Sequence, residues 1–127
     1  MNAKYNVALA LLAGVAVGAA AVEVLHAQAK APAYTIAEID VSDPAGFKAY
    51  ADVNTVGVPK AGGRFLVRGG KTVVLDGAPP AKRVALIGWE SLEQAEAYYN
   101  SPAYKALVPN RDKASKFRAF LVEGEAK

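Results

Sequence analysis

The residues of this chain that could do chemistry are carboxylates and guanidinium groups that alternate along its apolar segments. A period of two is typical of β-strands, and it places five candidates on one face of a predicted sheet: Tyr34, Glu38, Arg64, Arg68 and Glu90. A guanidinium presents a planar pair of donors to a carboxylate, so this face could bind a small organic anion or a phenol. Tyr34, Arg64 and Arg68 are therefore candidate ligand-binding residues.

Glu38 and Glu90 are the candidate catalytic residues. A carboxylate removed from water has a raised pKa, and either side chain could then carry a proton during an isomerisation. The alternative is structural, with Glu38, Arg64 and Arg68 forming salt bridges between strands or subunits that fix the register of a dimer. A register shift of one residue would move these side chains to the other face.

Three tyrosines form a second candidate group: Tyr98, Tyr99 and Tyr104. They could line the mouth of a cavity for an aromatic ligand, and Tyr99 is a further candidate ligand-binding residue. Aromatic residues at helical spacing more often pack in a core or an interface, so packing is their expected role. Arg111 and Arg118 could attract anions, but we interpret them as a solvated surface pair.

The absence of other reactive residue types narrows the chemistry. The chain has no Cys, and its single His is His26, in the N-terminal segment. The rest of the chain cannot supply an imidazole base, a thiolate nucleophile or a His-ligated metal, and we predict no metal and no cofactor. Gly62-Gly63 and Gly69-Gly70 lack the Lys and the helix start of a phosphate-binding loop. The net charge of +3 comes from scattered basic residues, which argues against nucleic acid as a partner.

Residues 1–29 have the layout of a secretory signal peptide. Lys4 precedes the uncharged apolar run Val7–Val22, and Ala27-Gln28-Ala29 fits a small-x-small cleavage site. The run is shorter than the roughly 20 residues that cross a bilayer as a helix. We predict cleavage after Ala27 or Ala29, a periplasmic or secreted protein, and no stable membrane association afterwards. The alternative is an uncleaved N-terminal helix that anchors the protein in the membrane.

Residues 30–127 form the predicted domain. Hydrophobic periodicity and helix caps predict strands at 34–41, 64–68, 82–89 and 116–123, helices that start at Pro44 and Leu92, and a short helix over 102–107. The first helix is expected to fray at 56–59, and residues 71–75 are expected to extend the second strand or to pair with its neighbour. The order β-α-β-β-α-β predicts an α+β fold of the ferredoxin-like, split β-α-β type.

Such a fold covers only one face of its four-stranded antiparallel sheet with helices. An exposed apolar sheet face of that size is typical of a surface used for association. We therefore predict a homodimer in which two sheets face each other and form an α+β barrel.

Several segments, taken in order, carry a family resemblance over residues 32–124: Pro32-Ala33-Tyr34-Thr35-Ile36, Val41-Ser42-Asp43-Pro44, Gly62-Gly63-Arg64-Phe65-Leu66-Val67-Arg68-Gly69-Gly70, Trp89-Glu90-Ser91 and Tyr98-Tyr99-Asn100-Ser101-Pro102. With them the chain resembles the DUF1330 family, within the wider superfamily of dimeric α+β barrels. Trp89 departs from the family, in which Phe is expected there. The resemblance implies a ferredoxin-like barrel dimer of uncharacterised function and supplies no catalytic residues.

Three functions are compatible with these observations. The first is an exported, dimeric protein that binds a small organic anion or an aromatic ligand. The second is a cofactor-independent isomerase or monooxygenase acting on a small aromatic or carbonyl compound, with Glu38 or Glu90 as the base and Arg64 or Arg68 as the anion-stabilising group. The third is a structural dimerisation module.

Overall fold

A four-stranded antiparallel sheet with the strand order β2-β3-β1-β4 organises the protein in the computed structural model, which describes residues 30–126. This is the order of the ferredoxin-like fold, so the predicted fold class is confirmed. The elements run along the chain as β1 (Ala33–Val41), α1 (Pro44–Lys60), β2 (Arg64–Arg68), β3 (Arg83–Trp89), α2 (Leu92–Tyr99), α3 (Pro102–Lys105), α4 (Val108–Ala114) and β4 (Ser115–Glu123).

The N-terminal segment that the sequence indicates as a signal peptide, residues 1–29, lies outside the described residues. Its cleavage and the export of the protein therefore stay predictions. Within residues 30–126, no helix has the length and the apolar character needed to cross a membrane.

The start of α1 follows its sequence signals. Asp43 accepts a hydrogen bond from the N–H of Gly46 at 3.2 Å, and Pro44 occupies the first turn, where its missing N–H costs no helical hydrogen bond. Phe47 and Tyr50 are buried at helical spacing and pack on the sheet. This helix therefore forms the main cover of the sheet.

The end of α1 is set by packing rather than by local preference. Val58 is fully buried in the cluster that contains Trp89, and the helix continues through Pro59 to its end at residue 60. The predicted fraying at 56–59 is wrong, because burial of Val58 keeps this turn helical. The chain then turns at Gly63, where a Cβ would lie 2.8 Å from Val58 and 2.9 Å from Trp89.

The two faces of the sheet differ in what covers them. On the helix-facing side, Thr35, Ala37 and Ile39 of β1 are buried, as their alternation predicts. The opposite side, which we call the open face, has no helix on it among the described residues. Its exposed apolar side chains include Leu66, Val67, Phe120 and Val122, which are 39–45% exposed.

A β-bulge in β2 separates two arginines that the sequence places together. Arg64 lies opposite Gly88, and Arg68 lies opposite Ala85, with the register shift between Phe65 and Val67. The extra residue of a bulge reverses the alternation beyond it. Arg64 therefore belongs to the open face and Arg68 to the helix-facing side, and the prediction that they share a face is wrong.

Residues 69–82 form an irregular connection between β2 and β3. No strand is present at 71–75, so that prediction is wrong, and Val73, Val74 and Leu75 are 72%, 50% and 94% exposed. The reason is that β2 pairs with β3 alone, and no strand of the described residues lies beyond it. The connection is tied back at its start, where Gly69 donates to the Val84 carbonyl at 2.8 Å.

The chain between α2 and β4 forms two short helices where the sequence predicted one. α3 ends at Lys105, and α4 begins at Val108 with Pro109 in its first turn. Proline is suited to this position because its nitrogen would have no helical partner there. This second short helix was not predicted, and it places Arg111 beside the sheet.

Candidate functional site

A cavity of about 460 Å³ opens between the sheet and the short helices, next to the edge strand β4. Its size falls within the range of roughly 300–1,000 Å³ that is typical of small-molecule sites. We call it the wide cavity, and its lining residues are Thr35, Tyr99, Tyr104, Arg111, Phe117, Ala119, Phe120 and Leu121.

The helix break between α2 and α3 brings two of the lining rings together. Ser101 caps α3 by accepting the N–H of Tyr104 at 3.2 Å, and Pro102 starts the new helix. The ring centroids of Tyr99 and Tyr104 are 4.9 Å apart and the rings are perpendicular, a favourable edge-to-face arrangement. Packing is thus confirmed for these tyrosines, but both also face the cavity.

A buried hydroxyl on β1 connects the sheet to this tyrosine pair. Thr35 Oγ1 accepts a hydrogen bond from Trp89 Nε1 at 2.9 Å and lies 2.7 Å from the hydroxyl of Tyr99. Because Thr35 already accepts from Trp89, its own hydrogen is free to point to Tyr99. The three groups form a polar chain inside an otherwise apolar layer.

The hydroxyl of Tyr104 lies between a second tyrosine and an arginine. Arg111 Nη1 donates to it at 3.0 Å, and the hydroxyl of Tyr50 lies 3.1 Å away. Tyr50 is deep in the core, packed edge-on against Phe117. These contacts hold the Tyr104 hydroxyl at the boundary between the core and the wide cavity.

Arg111 is a fixed positive charge in the cavity wall. Its side chain is only 14% exposed, it forms a salt bridge to Asp112 at 2.9 Å, and its guanidinium lies 4.1 Å from the ring centroid of Phe117. Burial lowers the pKa of Arg111, but Asp112 and Tyr104 together raise it above its ordinary value. The group therefore stays charged, and the interpretation of Arg111 as a solvated surface residue is wrong.

Burial raises the pKa of three phenols in this region, Tyr50, Tyr98 and Tyr99. Burial, with a contribution from Tyr104, raises the pKa of Tyr98 to about 12. Burial also raises the pKa of Tyr99 and of Tyr50 well above the ordinary value. These hydroxyls can donate hydrogen bonds, and they are poor general bases.

A second, narrower void of about 40 Å³ lies between α1 and the sheet. It has room for roughly one or two water molecules, and we call it the narrow cavity. Its wall includes Asn54 of α1, Phe65 and Arg68 of β2 and Arg83 of β3, and it shares Thr35, Tyr99 and Phe117 with the wide cavity.

The two carboxylates considered as catalytic residues do not reach either of these cavities. Glu38 is on the open face, where it forms a salt bridge with Arg118 and accepts the N–H of Ala81 at 3.0 Å. Glu90 is exposed after the end of β3, while Glu38 lies opposite Val84 near the start of that strand. The prediction that Glu38 and Glu90 share one cavity with Arg68 is therefore wrong.

The remaining predicted residues divide between the two faces. Tyr34 is on the open face with Arg64, since both lie opposite Gly88. Arg68 lines the narrow cavity, and Tyr99 lines both cavities. Glu38 does form an interstrand salt bridge, but its partner is Arg118, so the predicted salt bridges of Glu38 with Arg64 and Arg68 are wrong.

Sequence reasoning missed Thr35, a residue of the wide cavity. Thr35 did carry a signal, because it is a hydroxyl among aliphatic residues on the helix-facing alternation of β1. Arg111 was considered as an anion-attracting residue, but its burial could not be predicted, because it depends on α4 and on the ring of Phe117, which come together only in the fold.

The fold defines an α+β protein of the ferredoxin-like class. The chain belongs to the family described as "Domain of unknown function (DUF1330)", whose model matches residues 32–125. No relative matches the chain among curated proteins.

Solved structures share the fold at low sequence identity. A protein of unknown function from Rhodopseudomonas palustris is 15% identical, with a TM-score of 0.59 over 76% of this chain and 84% of that one. SnoaB, a cofactor-independent oxygenase from Streptomyces nogalater, is 12% identical, with a TM-score of 0.55 over 76% of this chain and 96% of that one. A hypothetical Arabidopsis thaliana protein is also 12% identical, with a TM-score of 0.54 over 78% and 91%.

Proposed function

We propose that the protein binds a small aromatic compound with an acidic or phenolic oxygen in the wide cavity, without transforming it. The observation that carries this proposal is the charged Arg111, only 14% exposed in the wall of a cavity that is large enough for such a ligand. Sites of this kind combine an apolar lining with a few convergent polar groups.

The cavity wall supplies a separate contact for each part of this ligand. The rings of Tyr99, Tyr104 and Phe117 offer faces and edges for an aromatic ring. When Thr35 donates to Tyr99, the hydroxyl hydrogen of Tyr99 is available to a ligand oxygen. Arg111 uses Nε and Nη2 for Asp112 and Nη1 for Tyr104, and the remaining N–H groups of its guanidinium can donate charge-assisted hydrogen bonds to an anion.

The alternative, a cofactor-independent isomerase or monooxygenase, lacks its expected base in this cavity. Glu38 is engaged by Arg118 on the opposite face, and Glu90 is exposed. Among the residues that line the wide cavity there is no carboxylate, and the raised pKa of Tyr99 opposes a role as a base. The fold that the chain shares with SnoaB carries no residue roles at 12% identity.

We also propose that the protein forms a homodimer through its open face. A second copy would cover the open face, where Leu66 and Val67 are exposed on one edge strand, β2, and Phe120 and Val122 on the other, β4. Burying such a patch is favourable at about 25 cal/mol per Å² of apolar surface. The structural dimerisation module remains the competing function if the dimer forms and the wide cavity binds nothing.

Calorimetric titration with salicylate, benzoate and phenol tests binding. Arg111→Gln should weaken salicylate binding roughly tenfold or more, because a charge-assisted hydrogen bond contributes about 1.5–3 kcal/mol. Arg118→Gln is the matched control, since Arg118 is on the open face and should leave the affinity unchanged.

Two further measurements separate binding from folding and from catalysis. Thermal unfolding without ligand shows whether Arg111→Gln is folded, and Arg111→Lys, which keeps the charge without the planar fork, should weaken binding less. Equal affinity for salicylate in wild type and Arg111→Gln would contradict the proposal. Conversion of a bound compound in air, detected by mass spectrometry, would favour the enzyme instead.

A further inference from the structure

The bulge in β2 creates a second cluster of donors, away from Arg111. It turns Arg68 to the helix-facing side, opposite Ala85, and Arg83 is also on that side, opposite Ile39. Both guanidinium-bearing residues line the narrow cavity together with Asn54. An ordinary alternating strand would have left Arg68 on the open face.

Both arginines are held in place by aromatic rings. The guanidinium carbon of Arg68 lies 4.0 Å from the ring centroid of Phe65, and that of Arg83 lies 5.6 Å from the centroid of Phe47. Arg68 also donates to Thr55 Oγ1 at 2.6 Å. A cation–π contact of this kind holds the planar guanidinium group in place and leaves the N–H donors at its edge available to a ligand.

No carboxylate of residues 30–126 forms a salt bridge with either arginine. Asn54 adds a neutral donor, because its carbonyl oxygen accepts the hydroxyl of Tyr98 at 2.5 Å and its amide N–H groups make no hydrogen bond to a described residue. Two arginines and an amide donor thus line one void, and no carboxylate is among its lining residues.

We propose that Arg68, Arg83 and Asn54 form a second anion site, which takes the carboxylate of a short aliphatic acid. A planar fork matches a carboxylate, and the flanking rings of Phe47 and Phe65 suit a short apolar chain. The narrow cavity, at about 40 Å³, has room for a carboxylate group but not for an aromatic ring, so an acid with only a short chain behind its carboxylate suits this site better than the ligand of the wide cavity does.

Titration with propionate, followed by two-dimensional amide NMR, tests this site. Propionate should produce saturable shifts at Asn54, Arg68 and Arg83, and propionamide, which has the same shape without the charge, should not. Arg68→Gln and Arg83→Gln, made singly so that each fold can be checked in the same spectra, should each weaken propionate binding roughly tenfold.

The chain offers a matched control. Arg64→Gln is on the same strand but on the open face, so it should leave the propionate affinity unchanged. This outcome is independent of whether salicylate binds near Arg111. Equal binding of propionate and propionamide, absence of saturable shifts, or unchanged affinity in both glutamine variants would overturn the proposal.

Discussion

Burial raises the pKa of three tyrosines near the wide cavity, so their hydroxyls stay protonated to a higher pH than an exposed tyrosine does. The shift has the same physical cause in Tyr50, Tyr98 and Tyr99, namely the cost of placing a phenolate in an apolar layer. A donor that cannot ionise near neutral pH suits recognition of an anionic ligand more than proton abstraction.

This shift predicts a loss of stability at alkaline pH. The pKa of Tyr98 rises from its ordinary 10.0 to about 12, so the unfolded chain releases this proton at a lower pH than the folded chain. Stability should be unaffected by Tyr98 below pH 10 and should decline as the pH rises from 10 to 12. Urea unfolding at a series of pH values measures this decline, and tyrosinate absorbance measures the pKa.

The matched variant for this prediction is Tyr98→Phe. Its stability should decline less steeply between pH 10 and 12, and one tyrosine fewer should titrate with a raised pKa. A Tyr98 that titrates near 10 in the folded protein would show that it is more accessible to water than the structure indicates.

At the scale of elements, the sequence correctly predicted the regular alternation of side chains along the strands and missed the irregular parts of the sheet. Alternation placed Thr35, Ala37 and Ile39 on the helix-facing side correctly. The bulge in β2 could not be predicted, because it depends on how β2 pairs with β3 and not on the residues of β2 alone. For the same reason, the apolar residues at 73–75 resembled a strand although no partner strand exists for them in the described chain.

The connection from β2 to β3 gives an element-scale prediction. Glu38 accepts the N–H of Ala81, and Asp40 accepts that of Lys82 at 3.1 Å, so these carboxylates hold the end of the connection against β1. Glu38→Ala should speed hydrogen exchange at the Ala81 amide roughly fivefold to tenfold, because a hydrogen bond of about 1 kcal/mol is lost.

Glu90→Ala is the control, since Glu90 is exposed and its side chain does not contact this connection. Exchange at Ala81 that is equally slow in wild type and Glu38→Ala would show that the connection is held by other contacts.

At the scale of the whole molecule, the open face is the feature that an isolated domain leaves unexplained. Family membership was correctly predicted, and so was the four-stranded sheet with helices on one face. The dimer itself remains a proposal, because it rests on the apolar character of side chains such as Leu66 and Phe120 rather than on a partner chain.

Light scattering at micromolar concentration tests the dimer. The protein that comprises residues 30–127 should have the mass of two chains, and Leu66→Lys should shift it toward the monomer by placing a charge in the apolar interface. Val53→Lys is the control, because Val53 is 52% exposed but belongs to α1. A monomeric mass for the unmodified protein would refute the dimer.

The central claim is that the ligand binds between the helices and the sheet, in the wide cavity, and not between two facing sheets. Intermolecular nuclear Overhauser effects from salicylate ring protons decide between these places. We expect contacts to the side chains of Tyr99, Phe117 and Leu121, which line the wide cavity. Contacts instead to Ile36, Leu66 and Leu86 of the open face would contradict the claim.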